Sequence, residues 1–132
     1  MPFPPVPGAD WFLRSLKLQA TTGVSGFALQ NGTPTIISWT PPSDGNMHRF
    51  VVLSILHVTS TETGGGVVTN FTLPDGTAAT SLMTLYSSGK SAGVSTANYN
   101  AALVEAGTSV SVVQSSALTA GASTLWAEIW GS

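Results

Sequence analysis

"HRFVVLSILHVTS", residues 48–60, decides how this chain folds. Read as a strand, its side chains alternate between two faces. Phe50, Val52, Leu56 and Val58 point one way, with Ser54 among them. Val51, Leu53 and Ile55 point the other way, between Arg49 and His57. Both faces are apolar. A two-layer β protein has one core, so one face of an antiparallel sheet commonly meets water. An apolar second face asks for a cover.

Outward from this stretch, the same alternation recurs between clusters of Gly, Pro, Asn and Asp. "WFLRSLKLQA" (11–20), "TPTIISWT" (33–40), "GGGVVTNFTL" (64–73), "SLMTLYSS" (81–88), "TSVSVVQSS" (108–116) and "STLWAEIW" (123–130) read as further strands. Only "TANYNAALVEAG" (96–107) reads as one or two helical turns or an irregular strand. Seven or eight strands, with turn signals every ~8–12 residues, predict an all-β fold. The expected architecture is an antiparallel β-sandwich of jelly-roll or Greek-key type. The chain's 132 residues suit one such domain over 11–132.

Residues 1–10, "MPFPPVPGAD", hold four prolines in the first seven positions. Proline fixes φ and removes amide donors, so this segment reads as an extended arm. It is either a disordered tail or an arm lying along a neighbouring subunit, with Phe3 and Val6 as the expected apolar anchors. The segment has neither a basic start nor an apolar stretch of a secretory signal. No apolar run reaches the ~18 residues of a membrane span. Synthesis in a cytoplasm, with no membrane partner, is the expectation.

Composition narrows the function classes. Charged residues are 8% of the chain and apolar ones 42%, against ~25% charged in typical soluble domains. Ser and Thr make up roughly a quarter. So little charge predicts a surface partly covered by protein. The four basic residues, Arg14, Lys17, Arg49 and Lys90, are scattered, and no basic patch exists for direct nucleic-acid binding. The absence of cysteine excludes disulfides and thiolate chemistry.

Catalytic patterns are weak, and no catalytic residue, metal ligand or cofactor is expected. His48 and His57 are nine apart, hence on opposite faces of one strand and ~30 Å apart. Asp44 and Asp75 precede glycines in turns, where Asp bonds its own backbone. "GVSGF" (23–27) and "GVSTA" (93–97) lack the second glycine of a nucleophile elbow, and "SSGKSAG" (87–93) lacks the upstream glycine of a phosphate loop. In "LWAEIW" (125–130), Trp126, Glu128 and Trp130 share a face, and Leu125, Ala127 and Ile129 share the other. The Trp face fits a subunit contact, because Trp is enriched at interfaces. It is also the candidate platform for a surface glycan.

"ISWTPPSDGNMHRFVV", "TGGGVVTNFTLPDG" and "ALTAGASTLWAEIWGS" together resemble small structural proteins of tailed phages, particularly those of actinobacterial hosts. The likeness runs over residues 33–132. It implies a virion component: a capsid decoration, minor capsid or minor tail protein. Decoration proteins are often trimeric β-folds seated on the capsid lattice. The expected function is a homotrimeric decoration or cement protein on the capsid exterior. It would bind the major capsid protein and stabilise the shell. The expected partner-binding residues are Phe3, Val6, Val51, Leu53, Ile55, Trp126 and Trp130. The alternative is a minor tail or host-adhesion module that binds carbohydrate on its Trp face.

Overall fold

The alternation in residues 48–60 becomes the longest strand of the computed structural model, which describes residues 16–73, 75–78 and 83–132. Strand β4 runs Met47–Thr63. Phe50, Val52, Leu56 and Val58 on its inner side are fully buried, and Ser54 with them. Eight other strands surround it: β1 (Lys17–Thr21), β2 (Phe27–Ala28), β3 (Thr35–Trp39), β5 (Val67–Asn70), β6 (Thr84–Tyr86), β7 (Ser95–Glu105), β8 (Val110–Gln114) and β9 (Ala120–Gly131). The described residues contain no helix.

The strands form two antiparallel sheets. One has the order β1-β9-β4-β7, with β2 also paired to β9; the other has the order β3-β8-β5-β6. With the two-residue β2 set aside, the pairing is nested. β1 pairs with β9, β3 with β8, β4 with β7, and β5 with β6. A long antiparallel hairpin rolled up on itself gives this nesting, which is the jelly-roll topology. The expected sandwich is therefore present, and of the jelly-roll type.

The core lies between the sheets. Leu125, Ala127 and Ile129 of β9 join Phe50, Val52 and Leu56 from one side; Val67, Val110, Val112 and Leu85 meet them from the other. Phe50 and Phe71 cross edge to face at 5.0 Å, a favoured aromatic geometry. Gly131 ends β9 under Trp39. A Cβ there would lie 2.3 Å from the indole, so the ring packs where only glycine leaves room.

The reading of 96–107 is corrected. This segment is β7, paired with β4 from Met47↔Glu105 to His57↔Ser95. Its inward positions include two asparagines, which hid the alternation. Asn98 Nδ2 donates to the Leu85 carbonyl at 2.8 Å. Asn100 Nδ2 donates to Thr69 Oγ1 at 2.9 Å and to the Met83 carbonyl at 3.0 Å. These amides stitch the open side of the sandwich, where β7 faces β6. Strand β2 was not anticipated, and the strand expected over 64–73 is shorter because Gly64 and Gly65 turn with positive φ. The arm and residues 11–15 of the first expected strand lie outside the described residues.

Candidate functional site

The register of the five-stranded sheet shows what the sequence could only pose as a question. Directly paired residues share a face. Val51 pairs with Trp130 and Ala101; Leu53 with Glu128 and Tyr99; Ile55 with Trp126 and Ala97. The apolar second face of β4 and the Trp face of β9 are therefore one surface, on the outside of the sandwich. It extends through Leu103 of β7 and Leu18 of β1. Leu53 is 44% exposed, Ile55 52% and Tyr99 72%. Trp126 and Trp130 are half-buried. Phe3 and Val6 lie outside the described residues.

One end of this surface is concave. A cleft of about 710 Å³ opens over Leu53, Ile55 and Trp126, between Tyr99 on β7 and segment 21–24, the end of β1 and the turn that follows it. Gly23 to Gly26 form a tight turn, closed by a Gly26 N–H to Gly23 carbonyl bond of 3.2 Å. Both glycines have positive φ. Val24 projects from the tip almost fully exposed, and its carbonyl accepts the Trp126 indole N–H at 2.9 Å. The turn can sit this close because residue 26 lacks a side chain: a Cβ would lie 2.9 Å from Trp126 Nε1. The Trp130 indole nitrogen is buried and has no hydrogen-bond partner among the described residues. Neither indole N–H is thus offered to solvent. Trp130 stands outside the cleft, so the two tryptophans do not form one platform.

Polar groups elsewhere serve the fold. His48 is buried at the start of β4. Its Nδ1 donates to the Ser132 carbonyl at 2.8 Å, and its Nε2 lies 2.9 Å from Asp44 Oδ1. Both partners accept, so the ring is held best as the imidazolium. The Asp44 carboxylate, then the Ser132 carbonyl, raises the His48 pKa from its ordinary value. The hydrogen bond from His48, then the Asn46 amide, lowers that of Asp44. Asp44 thus has the turn bond expected of it and a second role that the sequence did not disclose. Asp75 keeps only the turn role, accepting from the Thr77 amide at 2.9 Å.

Glu62 is a buried acid that sequence reasoning did not single out. It accepts from the Ser123 hydroxyl and, at 3.2 Å, from the Lys90 amide. The Lys90 ammonium sits 5.3 Å from the Tyr86 ring centre. Burial lowers the Lys90 pKa, and the Glu62 charge opposes that shift. His57 and Ser95 share a 2.5 Å hydrogen bond on the exposed side of β4 and β7. No carboxylate bonds the other nitrogen of His57 among the described residues, so the geometry of a catalytic triad is not assembled there. Among the described residues no three His, Cys, Asp or Glu side chains cluster as metal ligands.

No protein-family model and no curated protein sequence matches the chain. A chain in the structure of infectious bursal disease virus, Gx strain, resembles it with a TM-score of 0.52 at 12% sequence identity. The likeness covers 88% of this chain and 31% of that one, so this chain spans about a third of the length of the chain it matches. At that identity the likeness is one of fold.

Proposed function

We propose that this chain is a structural subunit of a virion, a decoration or minor capsid protein that assembles as a homotrimer and stabilises a shell. The observation that carries this reading is the apolar outer face of the five-stranded sheet. Leu53, Ile55, Tyr99 and Leu103 lie exposed together there, beside half-buried Val51 and Trp126, and no described segment covers those four. Leu53 and Ile55 are already about half covered, so burying what remains of Val51, Leu53 and Ile55 is worth about 2–4 kcal/mol before association costs. A chain with 8% charged residues has little else to keep such a face apart from its copies. The jelly roll is a fold common in viral shells, and the likeness to a chain from a virus structure agrees with it.

Light scattering over a wide range of concentrations tests this. A mass of three chains is expected. A single-chain mass throughout would remove the trimer and leave the face to be covered within one chain.

A second reading draws on the cleft, where Trp126, Tyr99 and Glu128 meet. Jelly rolls also serve as lectins. A glycan bound there would change Trp fluorescence, and Trp126→Ala would abolish the change. The tied indole N–H of Trp126 and the apolar floor make this the weaker reading.

A further inference from the structure

We propose that the cleft seats the proline-rich arm of a neighbouring copy, residues 2–7 (Pro-Phe-Pro-Pro-Val-Pro), so that subunits are linked by arm exchange. The inference rests on the assembly reading above.

The chemistry of cleft and segment match. Proline-rich segments hold an extended left-handed helix before binding, and they dock in apolar grooves lined by aromatic rings. The cleft presents Trp126 and Tyr99 over a floor of Leu53 and Ile55. Residues 2–7 carry no charge, four prolines and two large apolar side chains, Phe3 and Val6. Four of the six residues have no amide donor. Such a segment is poor at adding a strand to a sheet edge and well suited to lying across side chains.

Strand direction selects the donor. β1 starts at Lys17 opposite Gly131 and reaches Thr21 opposite Glu128. The chain therefore travels along β1 towards its own cleft, whose near wall is segment 21–24. Leu16 thus precedes β1 at the end away from the cleft. The nine residues 8–16 reach at most ~30 Å. To enter its own cleft the arm must reverse within that length; to enter a neighbour's it need not turn back.

The chain has no cysteine, so single cysteines report proximity cleanly. Protein with Val6→Cys is mixed with protein carrying Tyr99→Cys, and separately with protein carrying Ser38→Cys, an exposed position on the other sheet. Under mild oxidation the Val6–Tyr99 pair should form a two-chain disulfide about tenfold faster or more than the control pair, because docking raises effective concentration. Equal rates would overturn the inference. A chain carrying both Val6→Cys and Tyr99→Cys, diluted in excess unsubstituted protein, reads the donor. If its disulfide stays within one chain, the neighbour is not the source and exchange is refuted.

A titration separates this inference from the assembly reading. The peptide of residues 1–10 is added to full-length protein carrying Phe3→Ser and Val6→Ser, and Trp fluorescence is followed. A saturable change that Tyr99→Ala weakens supports the cleft as the arm's seat, whatever the mass of the protein. No saturable change overturns that seat, even if the protein is a trimer.

Discussion

The two outer faces of this sandwich obey the same alternation and end in opposite chemistry. On the four-stranded sheet the outward pairs are Ser38↔Ser111 and Asn70↔Ser111, with Thr35 and Val68 beside Val113. On the five-stranded sheet they are Leu53↔Tyr99, Ile55↔Trp126 and Val51↔Trp130. Small hydroxyl and amide side chains predominate on the first face, although Val68 is buried. The second carries the aromatic and aliphatic bulk expected of a core. The contrast teaches that, among the described residues, one outer face is largely polar and the other is left apolar and exposed. The assembly proposed above would cover the second face with protein.

The largest expected effect compares the two sides of β4. Phe50→Ala removes a fully buried ring and should cost about 3–5 kcal/mol of stability. Leu53→Ala, three residues on and outward, should cost under about 1 kcal/mol in the dissociated subunit. Urea denaturation at low concentration measures both. Similar losses would mean that the outer face is packed within the chain, and the contrast would break.

A second effect sharpens the inner side. Gly131→Ala places a methyl group against Trp39, an overpacking worth about 1–3 kcal/mol. A melting temperature equal to that of the unsubstituted protein would show that Trp39 is free to move aside.

The smallest effect concerns pH. The folded pKa of His48 is raised above the ordinary histidine value of 6.5, so its contribution is complete below that value. It is lost as pH rises through the raised folded pKa. The folded pKa of Asp44 is lowered below 3.8. Its contribution is complete above that value and is lost as pH falls through the lowered folded pKa. The pair therefore supports the fold between about pH 4 and 6.5. Asp44→Asn should flatten the shallow decline in melting temperature above that window. An unchanged slope would assign the decline to other groups.

The strands whose inner side is apolar were legible in the sequence. Residues 48–60 and 123–130 separate cleanly into inward and outward sets, as Phe50 and Leu125 against Leu53 and Trp126 illustrate. That the second faces of β4 and β9 form one surface was not legible. It depends on Ile55↔Trp126 and Leu53↔Glu128, pairings across more than seventy residues. β7 was misread because Asn98 and Asn100 occupy inward positions, where their partners are carbonyls on another strand. "GVSGF" was weighed only as an incomplete nucleophile elbow; its role as a turn over Trp126 comes from a bond spanning 102 positions. Local pattern gives faces; only register tells which faces meet.

The central claim is that the outer face of the five-stranded sheet is buried between copies. It is tested most directly by placing one charge on each outer face. Leu53→Lys and Ser38→Lys are compared with the unsubstituted protein by light scattering, with circular dichroism to verify that all three are folded. The account predicts a three-chain mass for the unsubstituted protein and for Ser38→Lys, and a one-chain mass for folded Leu53→Lys. A folded Leu53→Lys that keeps the mass of the unsubstituted protein would contradict it.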